Sequence, residues 1–337
     1  MFNPVRSIIR NVTRKPSEPY RILTCPAHSP YETQLAKCNA EFWGFQDLNV
    51  LEWNFCRPIP KNYHLLERGK KDESIPKNID FDFCLSHNTE AHHPYLHRYS
   101  KLFGIPLIQI YHTCAPCWNP GWQQYVQMSK HRYKADVNVF ITTSNRDQWG
   151  FTESEGEVVY HAADTEHFYP LGTERKSFVL TVANMYRQRD YALGYRLYDP
   201  ITQGLPRQHV GADEDPNFSV PIQDPIKLNE KFNECGVFLS TSIFSPIPCS
   251  VIEAALAGCP LVLASTCEVP IIFSHRKDAL LFPPDRADLA RKHIEWVLTH
   301  PDEAAKMGTA ARETVLKFFN HDNFVSKWNE IFNRVSR

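Results

Sequence analysis

The chain of 337 residues contains no apolar run approaching the ~20 residues that a membrane-spanning helix requires, so a soluble, cytoplasmic protein is expected. It also lacks an excess of either charge. With 37 Lys and Arg against 38 Asp and Glu, binding to nucleic acid or anionic lipid requires a local patch, not a uniformly basic surface. Internal repeats and low-complexity tracts are absent, and so are metal-binding spacings. Cys114 and Cys117 form a C-x-x-C with no second pair to complete a zinc site, and His93 and His97 enclose Pro94 without the glutamate of H-E-x-x-H. Asp213-Glu214-Asp215 offers a D-x-D, but that composition is common in turns. No metal is expected. The ten cysteines are irregularly spaced, and Cys25, Cys84, Cys235 and Cys259 sit in or beside apolar runs, as buried thiols do.

The length suits two domains, each able to bury a core. Strand-like and helix-like segments alternate from about residue 20, the pattern of a doubly wound parallel α/β sheet. Strands are expected at Tyr20–Cys25, Phe81–Ser86, Pro106–Tyr111, Val137–Thr142 and Val158–His161, and a second series at Phe178–Val182, His209–Val210, Gly236–Ser240, Leu261–Ala264 and Ala279–Phe282. Between the series, Pro170, Gly172 and charged residues mark a linker near Asp164–Arg175. The expected division is residues 1–165, 166–320 and a carboxyl-terminal helix, 321–337, packing back toward the first domain. Phe45–Pro76, rich in Pro, Asn, Lys and aromatics, shows no clear period.

Phe244–Ser265, FSPIPCSVIEAALAGCPLVLAS, is the most informative stretch. Pro246 and Pro248 exclude helix and impose a loop. Ser250-Val251-Ile252-Glu253 then fits the S-x-x-E capping box, and Gly258 and Pro260 end the helix before a second strand. A helix start facing the carboxyl end of a parallel strand is where anions bind in open α/β sheets. Across the sheet, Phe178–Val182 runs into Asn184, Arg187 and Arg189, whose guanidinium groups suit phosphate oxygens. Taken alone, those arginines also fit a solvated loop, and Glu253 fits a purely structural cap.

In the first half, His28, His87 and His112 each follow an expected strand, so three histidines share one sheet edge and suggest a polar cleft. His92, His93 and His97 read as helix-surface residues. At the amino end, VRSIIRNVTR places Val5, Ile8, Ile9 and Val12 on one helical face, with Arg6, Arg10 and Arg14 elsewhere. Such a basic amphipathic helix suits peripheral attachment to an anionic membrane or contact with a phosphate backbone; packing on the protein body with solvated charges is the plainer reading. Arginines interrupt the apolar residues, so no signal peptide is expected.

In their shared order these segments resemble the retaining GT-B glycosyltransferases of group 1, of the family 4-like type. SIFSPIPCSVIEAALAGCPLVLAS stands where that family has its E-x7-E segment, and HAADTEHFYP is similar to its N-G-V-D-x-x-x-F-x-P. TVANMYRQRD, HVGADEDP, DALLFPP and GIPLIQIYHT resemble further family segments. The resemblance implies two Rossmann-like domains facing a central cleft, and transfer of a sugar from a UDP- or GDP-sugar co-substrate to a hydroxyl without an obligatory metal or other cofactor. Arg187 and Arg189 would hold the donor diphosphate with Asn184 and Ser250 nearby, Glu253 the ribose, and His112 the transferred sugar as catalytic residue; His28 and His87 are acceptor-side candidates. Two departures stand out. Ser245 occupies the place of the family's first glutamate, which bears on sugar choice and activity, and Pro26-Ala27-His28-Ser29-Pro30 replaces its glycine-rich turn.

The implied acceptor is a glycan, a lipid-linked sugar, or a hydroxymethylated DNA base of the phage type, for which the amino-terminal arginines, Trp43, Trp53, Trp118 and Trp122 would serve. The alternatives are a non-catalytic GT-B binding protein, which Ser245 would explain, and a sugar-nucleotide epimerase of the same architecture.

Overall fold

A computed structural model describes residues 4–46, 53–54, 56–87 and 89–336. The chain forms two compact units, Met1–Ala162 with His321–Arg337, and Ala163–Asn320.

Among the described residues the first unit is built on seven strands: β1 (Tyr20–Thr24), β2 (Ala40–Gly44), β3 (Tyr63–Leu65), β4 (Phe83–Ser86), β5 (Leu107–Tyr111), β6 (Val137–Phe140) and β7 (Glu157–Val158). Every pairing is parallel, in the order β3-β2-β1-β4-β5-β6-β7. Because both faces of such a sheet are covered, its central strands are apolar throughout: β4 and β5 are buried at every position. The strand order reverses between β1 and β4, which opens a crevice at their carboxyl ends. One face of the sheet, with Ile22, Phe42, Phe83, Ile108 and Ile110, packs against the helix His321–Val335 through Phe324, Trp328, Ile331 and Phe332. The helix His321–Val335 therefore contributes to the core of the first unit.

The strand β2, not among the expected strands, lies just before the stretch without a clear period, and β3 lies inside that stretch and is only three residues long, too short to display alternation. Two aromatic assignments are corrected here. Trp43 and Trp53 are core residues, 5% and 3% exposed, held there by ring contacts to Phe81 and Tyr63 and unavailable for stacking on a nucleobase.

The second unit carries β8 (Lys176–Val182), β9 (Arg207–Val210), β10 (Cys235–Ser240), β11 (Leu261–Ala264) and β12 (Leu280–Phe282), all parallel, in the order β12-β11-β10-β8-β9. Its reversal lies between β8 and β10. The helix Pro225–Glu234, which follows no obvious apolar period, is started by Asp224, whose side chain accepts from the Ile226 amide at 2.9 Å, and by Pro225 at the first helical position. Val179, Val237, Leu239, Val262 and Phe282 form the core with residues of the helices Ala287–Thr299 and Pro301–Phe318.

Candidate functional site

In the first unit, His28, His87 and His112 come from the carboxyl ends of β1, β4 and β5, which are neighbours in the sheet, so one crevice collects them. His87 Nδ1 lies 3.0 Å from His112 Nε2, with the rings stacked at 5.2 Å. His28 stacks on the far side of His112 at 6.4 Å. His161, three residues beyond β7, joins the group. Tyr31 is the hub: its ring meets His112 edge-on at 4.7 Å, His161 at 5.3 Å and His87 at 6.1 Å, and its hydroxyl accepts from Trp328 Nε1 at 3.2 Å. Burial of these imidazoles disfavours their cations. The pKa of His28 falls to about 4 and that of His161 to about 3, while those of His87 and His112 lie well below the ordinary value.

Beneath the histidines lies Glu32, fully enclosed, which sequence reading missed because the helix Ser29–Leu35 that carries it is only two turns long. Its Oε1 accepts from the Ala27 amide at 3.1 Å and stands 3.3 Å from His87 Nε2; its Oε2 accepts from the Tyr63 hydroxyl at 3.2 Å. Burial outweighs these donors and pushes the carboxyl up to about 8. His92 and His93 are also buried, contrary to the helix-surface reading; His93 Nε2 bonds to the Lys134 carbonyl at 2.7 Å.

In the second unit, β8 and β9 end together. Gly211 has φ +152°, and a Cβ there would lie 1.9 Å from the Ala183 carbonyl oxygen, so only glycine permits this approach. Asn184 spans the same junction, its Oδ1 accepting from the Ala212 amide at 2.8 Å. Met185 takes φ +55°, a strained conformation for a residue with a side chain, and it turns the chain toward Arg187 and Arg189. The two arginines differ. Arg187 is bound by Asp213, with Nε at 3.0 Å from Oδ1, and lies 4.9 Å from the Phe218 ring centroid. The acidic turn Asp213-Glu214-Asp215 thus serves as an arginine partner. Arg189 is exposed, and its side chain has no partner among the described residues.

The loop after β10 is fastened on two sides. Thr241 bonds to the Tyr186 hydroxyl and donates to the Leu193 carbonyl, and the amides of Ile243 and Phe244 donate to the Ala192 carbonyl at 2.8 and 3.0 Å. The helix that follows is Cys249–Leu256. Its N-cap is Pro248, in extended conformation at ψ 130°, with no side-chain cap bond, so the capping-box reading is corrected. Ser250 lies inside the first turn because Pro248 already sets the chain direction into the helix. Glu253 follows one turn in, half-buried, and Ser245 is half-buried in the loop. The first amides of this helix have no intrahelical acceptor, and the helix dipole adds to their affinity for anions.

Asp164, Glu166 and His167 bring ligand atoms within 4.8 Å of one another, but His167 Nδ1 is already hydrogen-bonded to both Asp164 oxygens at 2.9 Å.

Residues 218–314 match the model of the family described as glycosyl transferases group 1. This segment contains the loop after β10 and the helix Cys249–Leu256. The matched segment lies wholly within the second unit. Sucrose-phosphate synthase from Thermosynechococcus elongatus is similar over 94% of this chain and 99% of its own, with 13% identity and a TM-score of 0.72. HepE of Anabaena, solved with UDP-glucose, is similar over 93% and 99%, with 12% identity and a TM-score of 0.68. The lipopolysaccharide outer core galactosyltransferase WaaB covers 94% and 99%, with 15% identity and a TM-score of 0.59. No curated protein matches the sequence significantly. The fold is GT-B.

Proposed function

We propose that the protein moves a sugar from a nucleoside diphosphate sugar, a UDP- or GDP-sugar, to an acceptor hydroxyl with retention at the anomeric carbon. The observation that carries this reading is the unpartnered Arg189 at the carboxyl end of β8, in the unit whose residues 218–314 match the group 1 family. HepE, of the same fold, binds UDP-glucose and supports a UDP-sugar as donor. Arg189 and the first amides of the helix Cys249–Leu256 stabilise the charge that develops on the departing diphosphate. Ser250 adds a hydroxyl in that first turn, and Glu253 receives the ribose diol. Arg187, neutralised by Asp213, shapes the loop that presents Arg189. In the first unit, His112 offers a nitrogen to the transferred sugar and His28 serves the acceptor side, while His87, its side chain fully enclosed, backs His112.

The acceptor we infer is a glycan or lipid-linked sugar at a membrane surface. In the helix Pro4–Thr13, Arg10 turns inward, 12% exposed and paired with Asp82, and the exposed Arg6 pairs with Asp80, while Val5, Ile8, Ile9 and Val12 face out at 53–82% exposure. Beside it is a hollow of about 290 Å³ lined by Arg6, Arg10, Arg14 and Arg21 with Glu18 and Asp80. An exposed apolar ridge flanked by arginines fits the boundary of an anionic bilayer, whereas a DNA backbone would have to compete with Asp80 and Asp82 for Arg6 and Arg10.

The test is release of nucleoside diphosphate from a panel of nucleotide sugars, with mass spectrometry of candidate acceptors. Wild-type turnover of at least one donor, lowered about 10²-fold by Arg189→Ala, is expected. Normal turnover by Arg189→Ala at limiting donor would overturn the assignment.

A further inference from the structure

Glu32, His87 and His112 bring their polar atoms within 3.3 and 3.0 Å of one another between the core of the first unit and its crevice. His87 Nδ1 and His112 Nε2 are 3.0 Å apart, so one proton lies between them; two bare nitrogens would repel and two N–H groups would collide. His87 Nε2 is buried without a hydrogen-bond partner, and Glu32 Oε1, 3.3 Å away, is the polar atom placed to satisfy it, which requires one proton between the two. Each neutral imidazole carries a single N–H. Only two arrangements satisfy both gaps. In one, Glu32 is a carboxylic acid donating to His87 Nε2, His87 Nδ1–H donates to His112 Nε2, and the His112 proton sits on Nδ1. In the other, Glu32 is a carboxylate accepting from His87 Nε2–H, His112 Nε2–H donates to His87 Nδ1, and His112 Nδ1 is bare. Nδ1 of His112 has no hydrogen-bond partner among the described residues and is not among the enclosed polar atoms, so this is the nitrogen that meets the crevice.

We propose that Glu32, acting through His87, is a positioning residue that selects the tautomer of His112, presenting an N–H to the crevice when it is an acid and a lone pair when it is a carboxylate. The two states differ by one proton, and it enters or leaves at His112 Nδ1. When that proton departs, the His87 proton moves to His112 Nε2 and the Glu32 proton moves to His87 Nε2; three N–H or O–H bonds break, two form, and no group becomes a cation. Neutrality matters here, since burial disfavours imidazolium at each position.

The surroundings leave Glu32 in control. Around it stand the Ala27 amide, the Tyr63 hydroxyl, the buried Cys25 thiol and Tyr31; around His112 stand His28, His92, His161 and Tyr31. Arg57 is the cation that bears on this group, acting on His28 and donating to the Cys56 carbonyl at 2.9 Å. With the carboxyl pushed up to about 8, both arrangements are populated near neutral pH. The catalytic consequence rests on the proposed glycosyl transfer, in which an N–H at His112 holds a sugar oxygen and a lone pair receives a hydroxyl proton; the tautomer itself does not.

The experiment is nitrogen-15 NMR of histidine-labelled, ligand-free protein between pH ~6 and ~9.5, with His112 assigned by His112→Asn. In the wild type, His112 Nδ1 is expected to pass from a pyrrole-type to a pyridine-type shift as pH rises, with a midpoint near 8. In Glu32→Gln the amide oxygen takes the position facing the Ala27 amide and accepts from His87, so His112 Nδ1 stays pyridine-type throughout. In His87→Phe, which keeps a ring and cuts the chain, the response is lost while Glu32 remains. An unchanging His112 tautomer in the wild type, or an unaltered transition in either variant, overturns the proposal. Failure of donor turnover alone overturns the proposed function and leaves the tautomer measurement standing.

Discussion

Arg187 gives its guanidinium to Asp213, whose carboxyl side chain is fully enclosed, while Arg189, two residues further on, gives its own to no partner among the described residues. The same loop thus commits one arginine to its own shape and leaves the other available for the donor proposed above. The substitutions Arg187→Ala and Arg189→Ala should therefore separate. Arg189→Ala is expected to lower kcat/KM for the donor by about 10²-fold, the scale of one lost transition-state donor, with Tm nearly unchanged. Arg187→Ala leaves Asp213, which Arg187 holds below the usual carboxylate range, without its cation. A Tm lower by several °C is expected there. Paired thermal melts and donor kinetics decide, and equal melting losses in both variants would show that Arg189 is structural too.

The loop between β10 and the helix Cys249–Leu256 depends on a close approach that only glycine allows. Gly194 has φ +68°, and a Cβ on it would lie 2.2 Å from the Thr241 carbonyl oxygen, a backbone atom that cannot swing aside. Gly194→Ala should therefore push the loop away from its anchors on Ala192 and Leu193. A raised donor KM is expected together with a destabilisation of about 1–3 kcal/mol. Isothermal titration with UDP and a denaturant melt would measure both, and unchanged UDP affinity would show that the loop does not hold the donor.

These residues also show how far the sequence reached. Alternating apolar segments and turn residues located ten of the twelve strands, because buried parallel strands are apolar throughout and helices between them are amphipathic. The histidines were legible as strand ends, and the sheet order β1-β4-β5 made them neighbours. Glu32 was not legible. Its importance comes from total enclosure under His87, a tertiary fact that leaves no local pattern, and an isolated glutamate in a two-turn helix reads as solvated. The two arginines looked equivalent because only the fold brings Asp213, 26 residues away, against the first of them. Ser250 failed as a cap because Pro248 makes the turn that a capping side chain would otherwise make.

The outward apolar ridge of the helix Pro4–Thr13 has a direct consequence for membranes. Each of Ile8 and Val12, once buried at the acyl boundary, contributes about 1.5–3 kcal/mol. Ile8→Glu with Val12→Glu should lower partitioning onto vesicles of mixed neutral and anionic lipid by at least about 10-fold, from lost burial and from charge repulsion. Binding of the unaltered protein should weaken with salt, since arginines line the adjoining hollow. Co-sedimentation measures both effects, and vesicle binding by the double variant equal to that of the parent would remove the helix from membrane attachment.

Glu32 also makes stability depend on pH in a direction opposite to that of the histidines around it. Its folded pKa of about 8 lies above the 4.5 of an ordinary glutamate, so between those values the folded chain keeps a proton that the unfolded chain has released. Stability from this group is fully present below about pH 4.5 and is lost as pH rises through 8. His28, His92 and His161, lowered from 6.5 to about 4, 4 and 3, act the other way: their contribution is present above 6.5 and is lost as pH falls through those values. Glu32→Gln removes the first effect and leaves the second. Relative to the parent, this variant should therefore gain thermal stability steadily from pH ~5 to ~8.5, by an amount on the order of a few kcal/mol across the range. Differential scanning calorimetry at matched ionic strength reads the difference at each pH. A difference that stays flat with pH would mean that Glu32 is already ionised in the folded chain below neutrality, and that the enclosed donors Ala27 and Tyr63 outweigh its burial.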